Sequence, residues 1–210
     1  MDRTTKTLLS EAGHTFAEDA GITLKDQPAA LFKLLVLTNL LSTRINADIA
    51  VAAAHELFEA GGGTPRGMAK LTWQERVDAL GRAHYVRYDE STSTRLGDMA
   101  EKVMEDYDGD LRRFPARVGR DADAARETLQ EFPGIGPVGA EIFCREAQAV
   151  WHWLRPTFDS LALKGADRLG LPTDPKRLAE LVGERELARL ASALVRVAKD
   201  KKLAARLVGA

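Results

Sequence analysis

Apolar residues recur at helical spacing along almost the whole chain, and no segment alternates with a sustained period of two between turns, so the pattern predicts an all-α protein. Pro28 opens an apolar run, Leu31, Leu34, Leu35, Leu37 and Leu41, that is hydrophobic nearly all round. It predicts a helix to about Ser42, buried at the centre of the fold. Asn46 is placed to cap the next helix, through Ile49, Ala53, Leu57 and Phe58, which ends at Gly61, Gly62 and Gly63. Further helices are predicted over about 65–70, 73–83, 91–107, 121–132, 138–150, 160–169, 175–183 and 185–207. Thr72 followed by Glu75 has capping-box spacing, and Asp174 before Pro175 places a cap ahead of proline at the first helical position. In the last helix Leu187, Leu190, Leu194 and Val197 share one face, which closes a core against earlier elements.

Composition fits this reading. The 210 residues are 45% apolar and 29% charged, the balance of a globular chain able to bury a sizeable core. The longest apolar stretch, Leu34 to Leu41, is interrupted at Thr38 and Asn39 and is far shorter than the ~20 residues a membrane span needs. No secretory signal is visible at the N-terminus, so a cytoplasmic location is expected. The single cysteine, Cys144, rules out an intramolecular disulfide and any four-thiolate cluster, and His14, His55 and His84 show no metal-ligand spacing.

The net charge of −1 argues against a polyanion as partner, but it hides an asymmetry. Residues 1–110 carry 12 basic and 18 acidic side chains (−6), and residues 111–210 carry 18 and 13 (+5). An anionic partner should therefore meet the second half. There Arg196, Lys199, Lys201, Lys202 and Arg206 stand against Asp200 alone, a cluster that reads equally as a solvated face or as phosphate contacts.

The most informative stretch is Phe132-Pro133-Gly134-Ile135-Gly136-Pro137-Val138-Gly139-Ala140, with a helical pattern on each side. Gly134 and Gly136 permit positive φ and close backbone approach, while Ile135 can plug the groove between the helices. The second helix then starts with amides of Gly136, Val138 and Gly139 on a surface without bulky side chains, and such amides bind phosphate. A glycine pair of this kind also serves many helical hairpins simply as a turn. Further on comes Phe158-Asp159-Ser160, and nine residues past Asp159 the run Arg168-Leu169-Gly170-Leu171. Upstream stands Leu40-Leu41-Ser42-Thr43-Arg44.

In this order the three segments resemble the helix-hairpin-helix superfamily of DNA glycosylases, in particular the endonuclease III branch, over about residues 28–172. The resemblance implies two helical lobes with a DNA-binding cleft between them: residues 28–135 as a barrel-like lobe, and residues 1–27 with 136–210 as the second, carrying the catalytic aspartate. It implies a monomer acting on double-stranded DNA that holds a damaged or mismatched base, in the nucleoid-associated cytoplasm. Amides of Gly134, Ile135, Gly136, Val138 and Gly139 would grip phosphate, with a monovalent cation on the hairpin carbonyls as a further expectation. Arg44 and Tyr88 would be duplex wedges, though each has an ordinary packing or surface reading as well.

A base inside a duplex must leave the stack before its glycosidic bond can be attacked. Cleaving that bond develops positive charge on the sugar, which a preorganised carboxylate stabilises. The resemblance gives that role to Asp159, whose plainer reading is a helix N-cap; the two are compatible. Trp151, His152 and Trp153 are candidate base-pocket residues, the tryptophans reading equally as core. Two departures from the family's pattern matter. Val138 stands where bifunctional members carry the lysine nucleophile, and valine forms no Schiff base, so a monofunctional enzyme leaving an abasic site is expected. The four-cysteine iron–sulfur loop is missing, so no cofactor is expected. The competing readings are a non-catalytic DNA-binding protein and a bifunctional enzyme using another amine, such as Lys164.

Overall fold

The computed structural model describes residues 2–208, which are helical with no strand among them. In chain order the helices are α1 (Arg3–Ala12), α2 (Phe16–Asp19), α3 (Pro28–Leu41), α4 (Ala47–Leu57), α5 (Pro65–Lys70), α6 (Trp73–Arg82), α7 (Asp89–Tyr107), α8 (Phe114–Arg117), α9 (Ala122–Leu129), α10 (Pro137–Ala147), α11 (Ser160–Arg168), α12 (Pro175–Ala179), α13 (Leu187–Lys199) and α14 (Lys201–Val208). They group into two compact units, residues 17–144 and residues 1–16 with 145–210. The division falls within α2 and α10, where the sequence placed it after residues 27 and 135.

In the first unit α3 is enclosed on all sides. Leu31, Phe32, Leu34, Leu35, Val36, Leu37 and Leu40 have no exposed surface, as the all-round hydrophobicity requires. α4 and α7 pack against it, and α6 against α4 and α7. The predicted caps are present: Asn46 accepts from the Asp48 N–H at 2.8 Å, and Thr72 and Glu75 form a reciprocal capping box. α4 continues through a π turn, Phe58–Gly62, where Gly61 takes φ +103°. The buried guanidinium of Arg76 donates to the carbonyls of Ser93, Met68 and Leu71 and ties three segments together.

In the second unit α11 lies directly on α13. A Cβ on Gly165 would run into the Leu194 carbonyl, so only glycine allows this approach. Arg168 of α11 donates to the carbonyls of Val197 and Ala198 in the last turn of α13. The helix predicted over 185–207 is in fact two. Asp200 leaves the helical region (φ −110°, ψ 104°) and its carboxylate accepts from the Lys202 and Leu203 N–H groups, so it caps α14. Helix propensity alone does not register such a break, because the residues on either side are good helix formers.

Candidate functional site

The hairpin joins α9 to α10. Gly134 takes φ +81°, the left-handed conformation that glycine adopts without strain. Ile135 is 4% exposed, and its Cγ2 would lie 3.2 Å from a Cβ on Gly139, so it fills the space between the two helices as predicted. Its N–H donates to the Phe132 carbonyl at 3.0 Å. The Ile135 amide is therefore used inside the turn, whereas the N–H groups of Val138 and Gly139 meet no acceptor among the described residues. Pro137 at the first helical position has no N–H, and Val138 beside it is 60% exposed. A side chain at 138 thus points to solvent at the positive end of α10.

The turn is held from below by a residue the sequence reading passed over. Asn39, 1% exposed on α3, donates from Nδ2 to the Pro133 carbonyl at 3.0 Å, and a Cβ on Gly134 would collide with the same nitrogen. Its Oδ1 and the Thr38 hydroxyl are buried without a partner among the described residues. Three residues on, the Ser42 Cβ would be 3.5 Å from a Cβ on Gly139. The end of α3 and the hairpin are consequently one packed assembly, and Arg44 projects from it exposed. Tyr88 is half-buried, with the Arg87 guanidinium 5.3 Å from its ring, while Val86 in the same loop is 63% exposed.

Asp159 sits at the N-cap of α11 with extended backbone (φ −72°, ψ 171°) and 5% exposure. Oδ1 accepts from the Ala162 N–H at 2.8 Å, and Oδ2 accepts from Nη1 of Arg145. Arg145 is 2% exposed and comes from the last turn of α10. Its Nε faces Oε1 of Glu146 at 3.4 Å, the Ser192 hydroxyl donates to that same oxygen at 2.7 Å, and the guanidinium lies 5.2 Å from the centre of the Phe16 ring. Nearby, desolvation and the charge of Arg145 lower the pKa of Lys199, with Asp159 opposing. Arg145 carried no functional weight in the sequence. A charged pair at 145–146 following Ile142, Phe143 and Cys144 was the one available sign of a buried ion pair.

Trp151 is buried and stacks on half-buried Trp153, ring centroids 5.9 Å apart at 21°. His152 is exposed and lines a cavity of about 400 Å³ with Arg155, Pro156, Ala179, Val182, Glu184 and Leu187. Neither tryptophan nor Asp159 lines that cavity. Of the C-terminal basic cluster, Arg196 donates to the His14 carbonyl and lies 4.3 Å from the Phe16 ring centre, and Arg206 faces Glu11 at 3.4 Å. Lys201 and Lys202 are exposed. Lys164 is exposed as well. Cys144 is fully buried, and desolvation pushes its thiol up to about 12. One buried thiol does not fit a four-thiolate iron–sulfur cluster.

No protein-family model and no curated protein sequence matches the chain. Among solved structures, two endonuclease III–DNA complexes do. One is a trapped covalent intermediate with an estranged adenine and the other a non-covalent complex. For each the TM-score is 0.55 at 16% identity, over 91% of this chain and 79% of the other. The all-α fold is thus that of endonuclease III. No helix among the described residues is long and apolar enough to cross a membrane.

Proposed function

We propose that the protein is a DNA glycosylase that hydrolyses the N-glycosidic bond of a flipped, damaged or mismatched base. The observation that carries this reading is Asp159. It is a buried aspartate capping α11, in the sequence position that the resemblance assigns to the catalytic carboxylate, within a chain of the endonuclease III fold. Base release leaves positive charge on the sugar, and a carboxylate already fixed in place stabilises it without reorganising. The unpaired amides of Val138 and Gly139 supply the anion grip that duplex binding needs. Val138 has no amine, so the sugar is attacked by water and an abasic site remains. The proposal includes a protein that works as a monomer, without an iron–sulfur cluster, with Arg44 and Tyr88 at the opened base pair.

A second reading is favoured by one contact. Arg145 already neutralises Oδ2 of Asp159, and a carboxylate paired with a guanidinium presents a weaker field to a sugar cation. Under that reading the protein binds duplex DNA without cleaving it.

A panel of lesion-bearing duplexes, developed with and without alkali, separates the two. Alkali-dependent breaks that vanish in Asp159→Asn support the glycosylase. Binding without base release supports the second reading, and breaks without alkali show an amine mechanism instead.

A further inference from the structure

Behind the carboxylate lies a buried relay that the proposed chemistry has not yet used. The Ser192 hydroxyl of α13 donates to Glu146, Glu146 faces Nε of Arg145, and Nη1 of Arg145 donates to Oδ2 of Asp159. All four residues are at most 5% exposed. The aspartate is gripped at both oxygens by groups of different origin, Oδ1 by the Ala162 N–H of its own helix and Oδ2 by the guanidinium of α10. The cap alone leaves Oδ2 free to swing about χ2. The second bond removes that freedom, because the guanidinium is planar and is itself held by Glu146 and by the face of Phe16.

We propose that Arg145 is a positioning residue for Asp159, locking its carboxylate in the one orientation from which it meets the cationic sugar. The proposal rests on the glycosylase reading. It differs from an ordinary stabilising ion pair in what its loss does: recognition of charge at the sugar fails while recognition of the duplex remains.

The test needs no knowledge of the damaged base. Two duplexes are compared by fluorescence anisotropy, one with a tetrahydrofuran abasic analogue and one in which a protonated pyrrolidine nitrogen puts a positive charge in the sugar ring. The ratio of the two affinities reads the carboxylate's action on that charge, and a general loss of structure weakens both duplexes alike. The wild type should prefer the cationic ring, and Asp159→Asn should abolish the preference. Arg145→Met should cut the ratio about tenfold, the scale of losing one hydrogen bond to a charged group, with tetrahydrofuran affinity kept. Arg145→Lys should restore part of it. Because Arg145→Met removes the guanidinium that bonds two buried carboxylates, Arg145→Met/Glu146→Gln is measured beside it, and circular dichroism verifies that each variant is folded. An unchanged ratio in folded Arg145 variants overturns the proposal while leaving the glycosylase reading intact. A ratio that rises overturns it too, since Arg145 would then compete with the sugar cation. A wild-type ratio near one overturns the glycosylase reading, and the proposal with it.

Discussion

The Asn39 carboxamide lies directly beneath Gly134, its Nδ2 bonded to the Pro133 carbonyl at 3.0 Å and occupying the place a Cβ on Gly134 would need. The turn therefore depends on glycine for two separate reasons, its φ of +81° and this contact. Gly134→Ala should destabilise the protein by about 2 kcal/mol or more, the sum of left-handed strain and displacement of a buried amide. Urea unfolding reads this as a lower midpoint.

Val138 offers the opposite case, a position where substitution disturbs little. Its side chain is 60% exposed at the start of α10, so Val138→Lys and Val138→Glu should move the unfolding midpoint only slightly, the lysine down and the glutamate up, as the positive end of the helix dictates. If the hairpin meets phosphate, Val138→Lys should tighten duplex binding and steepen the dependence of log affinity on log salt by about one. Val138→Glu should weaken binding. Equal affinities for both variants would remove the hairpin from the DNA interface.

Gly165 holds α11 against α13 because a methyl group there would strike the Leu194 carbonyl, part of a helix backbone that cannot yield locally. Gly165→Ala should cost about 1–3 kcal/mol through overpacking, seen as a reduced thermal midpoint. The Asp159 cap lies on the same helix, so this variant should also lower the preference for a cationic sugar ring.

Glu75 carries a pH dependence. The Thr72 backbone N–H at 2.7 Å, and then its hydroxyl at 2.9 Å, hold the Glu75 carboxyl below the usual value. A depressed folded pKa contributes stability that is complete above the ordinary glutamate value of about 4.3 and disappears as pH falls through the depressed one. Glu75→Gln should therefore be less stable than wild type at neutral pH, with the gap closing as pH falls through the depressed value.

Cys144 should be chemically silent. With the thiol fully buried and pushed up to about 12, almost none is thiolate at neutral pH. An aromatic disulfide reagent should find no reactive thiol in the native protein and one per chain in denaturant.

The sequence by itself determined the helical class, the caps at Asn46, Thr72 and Asp174, and the hairpin with Ile135 as its plug. Each follows from interactions between residues a few positions apart, where spacing and side-chain type decide the outcome. The break at Asp200 was also local, but hidden between two good helical segments. The tertiary structure alone decided what Asp159 touches. Its partner Arg145 is 14 residues away, Ser192 lies 46 from Glu146, and Asn39 reaches Pro133 across 94. No period in the sequence encodes such pairings, because they arise only when separate helices are packed and each buried polar group must find a partner. For the same reason Trp151 and Trp153 end stacked on one another while His152 between them is exposed.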